Sequence, residues 1–403
     1  METRKRKCEN NLDENQVPKS RRFSTSNEET DTDSERSSTP LVPLRSQSRN
    51  SSVANSPGGD TASEASKETN KASPPNKDPD QILNDILDYI KKIEKGEVKE
   101  IICTPQDYIS VCLRTAIKRD MHELVVKLLN NERCKSYGLN PNYVDKKHNC
   151  KSIFIHVCIV GNKNVVRVFL DHDQVDVSMA DLLGNGALHH AAMLNNAETV
   201  EMLVKDERIN INATNKSGNS ALMLASTEGA TGSVEKILGV EGVEINCADE
   251  NGFTAMLHSA VGGYVDIVQM LLRYKGIKID KSNNNGDTAL MCAANEMKTD
   301  IVKLLVENNC DVNIKNSDGY TALMCAADKG DVQIVQTLLS SPTIDINLED
   351  SKGNNALSWA VDKNQYEIVK MFVSRDDLSN STKNVEEVAY LVLNRSPQIH
   401  YKI

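Results

Sequence analysis

The sequence predicts an all-α repeat protein, a solenoid of stacked helix pairs joined by hairpin fingers, because three features recur along most of the chain. Six glycines, spaced 33 or 34 residues apart, each lie in the pattern Asx-x-x-Gly. An alanine-rich segment and then a second apolar segment follow each of them. A fixed period in this range is typical of stacked repeats. The glycines are Gly184, Gly218, Gly252, Gly286, Gly319 and Gly353.

Each repeat carries local signals for a turn and two helices. Asx-x-x-Gly predicts a tight turn in which glycine adopts a positive φ. The residue two positions later predicts the N-cap of the first helix, and Gly186 and Asn355 there predict looser units. In the second helix, Ile301, Leu304 and Leu305 have helical spacing. The Ser and Thr caps are Ser220, Thr254, Thr288 and Thr321.

These repeats strongly resemble the ankyrin repeat family, whose pattern is D-x-x-G-x-T-P-L-H-x-A-A. The clearest copies here read NNNGDTALMCAA and NSDGYTALMCAA, with Ala in place of the family's proline in all six units. Residues 318–327 and 332–339 are also similar to the KN-motif-and-ankyrin subfamily. The resemblance implies an ankyrin solenoid that binds a protein in a concave groove. It also implies that His189, at the family's histidine position, bonds backbone between repeats.

Composition and repeat phase divide the whole chain. The first segment is rich in Ser, Thr and charge, has few large apolar residues, and is therefore expected to be disordered. In the second, Ile82, Ile86, Ile90 and Ile93 share one helix face, and Asp80 is the expected cap. The segments are a disordered tail with basic clusters at 1–78, an N-terminal capping helix region at 80–104, degenerate repeats at 105–180, six repeats at 181–375 and a C-terminal capping segment at 376–403 with a helix at 385–393.

Charge and cysteine usage limit the possible functions. The net charge is −10, and residues 1–78 are neutral overall, so the repeats are acidic. An acidic surface argues against direct nucleic-acid binding and suits a basic partner, although it also suits a solvated surface with no partner. No run approaches the ~20 apolar residues of a membrane span. The ten cysteines form no metal motif, and Cys292 and Cys325 are expected to be buried. We expect no cofactor and no enzyme activity.

Repeat register and the family resemblance predict a partner-binding surface on the fingertips and the ends of the first helices. Aromatic residues there are candidate anchors. Packing between fingers is the alternative for the aromatics, and burial by the preceding repeat is the alternative for the aliphatic group. The candidates are Leu182, Leu183, Met193, Leu194, Glu228, Glu250, Phe253, Asp287, Glu296, Asp318, Tyr320, Asp328 and Lys329.

The N-terminal tail carries two basic clusters with the spacing of a bipartite nuclear import signal. Such clusters suit the acidic groove of an importin, although a basic tail that only aids solubility is the alternative. The clusters are Arg4, Lys5, Arg6 and Lys7, then Lys19, Arg21 and Arg22. Candidate phosphorylation sites are Ser24, Thr39, Ser56 and Ser73. Phosphate on Ser24 would add about −1.5 to −2 charges beside the second cluster and weaken import.

Together these features predict a non-enzymatic adaptor, a nuclear regulator or a cofactor of transcription or chromatin. Two alternatives remain: a cytoplasmic or cortical cytoskeletal scaffold, and an inhibitory ankyrin protein that controls a transcription factor. The subfamily resemblance favours the first alternative. Asp33, Ser34 and Ser38, a faint match to a phosphodegron, favour the second. The expected location is the nucleus, with the cytoplasm as the alternative.

Overall fold

The computed structural model describes residues 78–95, 104–119, 121–145 and 151–379. Within these ranges the chain forms eighteen helices and one antiparallel pair of two-residue strands, β1 (Val144–Asp145) and β2 (Lys151–Ser152). The predicted all-α repeat architecture is confirmed. The helices are α1 (Pro79–Glu94), α2 (Pro105–Lys118), α3 (His122–Asn130), α4 (Glu132–Ser136), α5 (Ile153–Val160), α6 (Lys163–Leu170), α7 (Ala187–Met193), α8 (Ala197–Val204), α9 (Ala221–Glu228), α10 (Thr231–Leu238), α11 (Ala255–Gly262), α12 (Val265–Arg273), α13 (Ala289–Asn295), α14 (Thr299–Glu307), α15 (Ala322–Lys329), α16 (Val332–Leu339), α17 (Ala356–Asp362) and α18 (Tyr366–Val373).

Eight helix pairs stack in chain order, from α2 with α3 to α17 with α18. The first helix of each pair packs against the first helices of its neighbours, as α9 does against α7 and α11. Fully buried alanines such as Ala225 and Ala293 let these first helices approach closely. One hydrophobic core therefore runs along the stack, and it includes Phe154, Phe169 and Phe372. This is the nearest-neighbour packing of a solenoid.

The predicted Ser and Thr caps form, and a side-chain hydrogen bond is also present at each of the two positions without Ser or Thr, Gly186 and Asn355. The Oγ atom of each predicted Ser or Thr accepts the N–H three residues on, at 3.3–3.4 Å. Asn355 does the same through Oδ1, 3.0 Å from Ser358 N. At Gly186 the cap is reversed, because Nδ1 of His189 accepts from the Gly186 N–H at 3.2 Å. The amide oxygen of Asn355 therefore caps its helix as a hydroxyl would, and the expectation that these two units are looser stays a prediction.

Helix α1 differs from the prediction in its cap and its core face. The side chain of Asp78, not Asp80, accepts the capping hydrogen bond. Leu83 and Leu87 are buried beside Ile86 and Ile90, whereas Ile82 and Ile93 are only half-buried. The four buried residues, at positions 83, 86, 87 and 90, lie on one face of the helix, and this face packs against both α2 and α3. The two leucines are buried because they lie on that face. The predicted helix at 385–393 lies outside the described residues.

A repeated asparagine holds successive fingers together. Nδ2 of Asn212 donates to the carbonyl of Gly242, and its Oδ1 accepts from the N–H of Glu244. Asn142, Asn246, Asn313 and Asn347 make the same pair of bonds, and over all five the distances are 2.7–3.0 Å. Asp280 occupies the corresponding place between two of these units. Its Oδ1 accepts from Asp311 N at 3.1 Å, but a carboxylate cannot donate. Burial raises the pKa of Asp280.

We expect Asp280→Asn to stabilise the fold by about 1 kcal/mol at neutral pH, because the amide supplies the missing donor. A raised folded-state pKa means that the folded state binds the Asp280 proton more tightly than the unfolded state does. The destabilisation of the wild type by ionised Asp280 is therefore complete above that pKa and decreases as the pH falls through it. Urea unfolding at neutral and acidic pH measures this difference, with Asp266→Asn on an exposed face of α12 as the control. An equal stability of Asp280→Asn and the wild type at neutral pH would contradict the account.

Candidate protein-interaction groove

We use "groove" for the surface formed by the finger turns and the outward-facing residues of the first helices. Each turn is held by the side chain of its first residue, which accepts two backbone hydrogen bonds through Oδ1. The donors are the N–H groups two and four residues on, at 2.8–3.1 Å. The turn residues are Asp181, Asn215, Asp249, Asn283, Asn316 and Asp350. Asx residues are needed here because only their short side chains reach both donors.

Backbone hydrogen bonds join each finger to the next. The N–H of Lys216 donates to the carbonyl of Leu183 at 3.0 Å, and four more bonds of this kind follow along the stack. The turn glycines all have the predicted positive φ. At Gly252 the reason is also steric, because a Cβ there would lie 2.5 Å from the backbone nitrogen of Asn284 in the next finger. The fingers therefore form one continuous edge of the groove.

The second side-chain oxygen of an Asp turn residue accepts a hydrogen bond from the side chain nine positions later. The sequence analysis did not predict this relation. Where the turn residue is Asp, its Oδ2 receives a ring N–H: from His190 at 2.9 Å, His258 at 3.1 Å and Trp359 at 3.1 Å. Where it is Asn, the residue nine positions on is not a donor of this kind but Leu224, Cys292 or Cys325. The spacing Asp-x8-His or Asp-x8-Trp was visible in the sequence.

The histidines of the groove are held in structural bonds. Nε2 of His189 lies 3.2 Å from the carbonyl of Asn219 in the next finger, as the family resemblance implies. Burial lowers the pKa of His189, His190 and His258, against the opposing effect of their hydrogen bonds. For Asp181, burial alone favours the neutral acid, but bonds from Asn185, His190 and Leu183 lower its pKa. The imidazole rings of His189, His190 and His258 are therefore uncharged at neutral pH and hydrogen-bonded to the turns.

An acidic cleft of about 370 Å³ lies in the groove between the units of α13 and α15. Four predicted residues line it: Asp287, Asp318 and Asp328 with their carboxylates, and Tyr320 with its ring. Both carboxylate oxygens of Asp287 accept a side-chain hydrogen bond, one from Nδ2 of Asn316 at 2.8 Å and the other from Nδ2 of Asn283 at 3.2 Å. The arrangement offers several oxygen acceptors and an aromatic face in one concave place, which is the chemistry that binds a lysine or arginine side chain.

Cys292 and Cys325 line this cleft and are half-buried, so they are less buried than the sequence analysis expected. Their position nine residues after the turn faces the groove and not the neighbouring helix. Burial, reinforced by the nearby charge of Asp287, raises the pKa of both thiols to about 12. A protonated thiol is a poor nucleophile and a poor metal ligand. The two cysteines act here as small, uncharged cleft walls.

Both candidate aromatics pack against first-helix side chains. The ring of Phe253 lies 5.3 Å from that of His258 in its own unit, and the ring of Tyr320 lies 5.2 Å from that of Trp359 in the next unit. Each aromatic side chain is half-buried. Burial and the surrounding carboxylates raise the pKa of Tyr320 to about 12. Phe253 and Tyr320 thus pack against neighbouring rings and remain partly exposed in the groove. Trp359 is a further aromatic residue of the groove, which the sequence analysis did not select.

The aliphatic candidates are not covered by the preceding unit in the described structure. Leu182 is 54% exposed, Leu183 58% and Leu194 48%, whereas Met193 is half-buried. Burial by the preceding repeat therefore does not explain the leucines. The remaining charged candidates Glu228, Glu250, Glu296 and Lys329 are all exposed.

The remaining predictions concern a metal site, a membrane span and the N-terminal tail. In the part of the chain that the structure describes, no cluster of His, Cys, Asp or Glu could hold a metal ion. None of the described helices is long and apolar enough to cross a membrane. The import and phosphorylation candidates outside the described ranges are Arg4, Lys5, Arg6, Lys7, Lys19, Arg21, Arg22, Ser24, Thr39, Ser56 and Ser73.

Comparison with known families agrees with this geometry. The family model described as "Ankyrin repeats (3 copies)" matches residues 113–215, 222–316 and 296–384, together more than half of the chain. The chain belongs to the ankyrin repeat family. A search of the curated proteins gave no match. Ankyrin repeats are protein-interaction modules, so family membership indicates a protein-interaction domain. The narrower resemblance to the KN-motif subfamily stays a prediction.

Proposed function

We propose that this protein is a nuclear adaptor, a regulator or cofactor of transcription or chromatin without enzymatic activity, whose groove binds a basic segment of a protein partner. The acidic cleft carries the proposal. Carboxylates of Asp287, Asp318 and Asp328 surround it, and Tyr320 supplies an aromatic face. Charge-assisted bonds to a guanidinium or ammonium group are about twice as strong as neutral ones. Such a cleft favours a lysine or arginine over a neutral side chain.

The chain's own Lys363 illustrates this preference at the edge of the cleft. Its Nζ lies 5.7 Å from the centre of the Trp359 ring and 3.6 Å from a carboxylate oxygen of Asp328. An ammonium group between an indole face and a carboxylate is a favourable cation–π geometry. The Lys363 Nζ also lies 3.5 Å from a carboxylate oxygen of Asp362. The same groove chemistry therefore already accommodates one cation beside two carboxylates, and a partner cation in the cleft would meet three.

The absence of enzymatic activity is proposed from the state of the reactive side chains in the described groove. Cys292 and Cys325 hold their protons, with the pKa of both thiols raised to about 12. His189 and His258 are engaged with backbone and carboxylate partners. Neither residue type is arranged as an activated nucleophile with its base. The groove is suited to binding.

The nuclear location is supported by the two basic clusters of residues 4–7 and 19–22. Their charges match an acidic importin groove. A fluorescent protein fused to residues 1–78 should accumulate in the nucleus, and replacement of both clusters by glutamines should abolish the accumulation. A fusion that stays in the cytoplasm would favour the cytoplasmic or cortical alternative.

Neutralising exposed groove carboxylates should remove partners without unfolding the protein. We expect Asp318→Asn with Glu296→Gln to weaken partner binding about thirtyfold or more, because the two lost charge-assisted bonds contribute about 1 kcal/mol or more each. Proximity labelling in cells compares this variant with the wild type. The matched control is Asp266→Asn with Glu307→Gln, which removes the same charge from exposed positions on second helices. Equal loss in both variants, or no loss in either, would contradict binding in the groove.

A further inference from the structure

A second cleft, of about 260 Å³, lies between the first two helix pairs. Arg114 and Lys118 of α2 form one side, and Lys151 of β2 and His156 of α5 form the other. Tyr143 closes the finger end, and Ile153 and Ile159 contribute apolar walls. Among the described residues that line it there is no Asp or Glu. This cleft is basic in a protein whose repeats are acidic overall.

The basic cleft occupies the same place in its units as the acidic cleft does further along. The N–H of Met121 donates to the carbonyl of Ala116 as the N–H of Lys298 donates to that of Ala293. Arg114 and Lys118 therefore correspond to Met291 and Asn295. The Ser152 cap corresponds to the Thr321 cap. Counting from these caps, Lys151, His156 and Ile159 correspond to Tyr320, Cys325 and Asp328.

The two clefts thus share one architecture and differ in charge. All of these corresponding residues line their respective clefts. Lys151 is half-buried, and its positive charge reaches into the neighbouring unit, where it adds to burial in lowering the pKa of His190. Electrostatic attraction to such a half-enclosed group is less screened by salt than attraction to a fully exposed lysine. The charge of Lys151 is therefore less weakened at physiological ionic strength than that of an exposed lysine such as Lys118.

We propose that the cleft between Arg114, Lys118 and Lys151 binds a phosphorylated serine or threonine of a protein partner. This inference rests on the proposed function, since it places a second recognition site in the same groove. A phosphate carries about −1.5 to −2 charges and three strong acceptor oxygens, which match three cations better than the single charge of a carboxylate does. The phenol of Tyr143 is a further donor at the rim, and the apolar walls suit the methylene or methyl group of the side chain.

The rest of the groove distinguishes a phosphopeptide from a nucleic acid. A nucleic acid carries a phosphate at every residue, so a strand lying along the groove would meet the carboxylates of Asp287, Asp318 and Asp328. A peptide can carry a phosphate at one end and basic residues at the other. The charge order of the groove therefore sets the direction in which a partner segment binds, with its phosphate at the first two helix pairs.

Phosphate recognition can be measured on the full-length protein without knowledge of the partner. The probes are a fluorescent short peptide with one phosphoserine, the same peptide with serine or aspartate instead, and a short single-stranded DNA. Fluorescence anisotropy gives each affinity for the wild type, for Lys151→Gln and for the exposed Lys118→Gln. Lys216→Gln, an exposed lysine on a later finger, is the matched control. Circular dichroism checks the fold of each variant.

We expect the phosphopeptide to bind more tightly than the other probes, and inorganic phosphate to displace it. Lys151→Gln and Lys118→Gln should each weaken it about tenfold or more, since a hydrogen bond to a charged group contributes about 1.5–3 kcal/mol. Lys216→Gln should leave it unchanged. Tighter binding of DNA, equal binding of the serine peptide, or equal weakening by Lys216→Gln would overturn the proposal. The peptide carries no basic segment, so failure here leaves the acidic-cleft proposal standing, and failure of the acidic-cleft variants leaves this one standing.

Discussion

Gly252→Ala is expected to lower the free energy of unfolding by about 2–5 kcal/mol. Gly252 has φ +82°, and an added Cβ would lie 2.5 Å from both the backbone nitrogen and the side-chain oxygen of Asn284. The left-handed backbone alone costs a residue with a Cβ about 1–2 kcal/mol, and overpacking adds about 1–3 kcal/mol. The added atom also separates two fingers and breaks the bond from Asn284 N to Asn251 O. Urea unfolding of the two proteins measures the difference.

Gly353→Ala separates the two contributions. Gly353 has φ +81°, but the nearest atom to its added Cβ is a carboxylate oxygen of Glu349 at 4.0 Å. This variant keeps the backbone strain and lacks the clash, so it should lose only about 1–2 kcal/mol. If both alanine variants lose the same stability, contact between fingers is not what requires glycine at position 252.

His258→Leu is expected to lower the free energy of unfolding by about 1–3 kcal/mol, because it leaves a buried oxygen of Asp249 without its donor. The ring of His258 lies 3.1 Å from that oxygen, and the Asp249 side chain is only 6% exposed. The double variant Asp249→Asn with His258→Leu should recover most of the loss. It recreates the pair Asn215 and Leu224, which the chain already uses one repeat earlier.

The stability that the double variant recovers is expected to come from one side-chain hydrogen bond between fingers, which unfolding measurements can check. Nδ2 of Asn215 donates to Oδ1 of Asn185 in the preceding finger at 2.9 Å, and the corresponding acceptor for an asparagine at position 249 is Asn219. Asn219→Ala in the double variant should therefore remove part of the recovered stability. A double variant as unstable as His258→Leu alone would show that the two positions are not coupled.

Features that depend on neighbours in sequence could be predicted. The Asx-x-x-Gly turns and the caps at Thr288 and Thr321 need only residues a few positions apart, and they form as expected. The pairing of Asp350 with Trp359 was missed because it joins a turn to a helix residue nine positions later, beyond the few positions over which caps and turns form. The exposure of Leu182 could not be decided either, since it depends on how a degenerate neighbouring unit packs.

The charge pattern of the groove shows a further limit. The acidic residues Asp287 and Asp318 were selected because they lie in clear repeats that can be aligned by eye. Arg114 and Lys151 were not, because their units lack the glycine that marks the register. Only the helix-end and cap hydrogen bonds show that these basic residues occupy groove positions.

The most direct test of the account is to find which surface touches the partner in cells. A photo-crosslinking amino acid at Asn295, which is exposed and lines the acidic cleft, is compared with one at Lys303, which is exposed on the second helix of the same repeat. If the groove binds the partner, position 295 should crosslink to a discrete set of proteins, and these crosslinks should be lost in Asp318→Asn with Glu296→Gln. Crosslinks from position 303 alone, or the same set from both positions, would contradict binding in the groove.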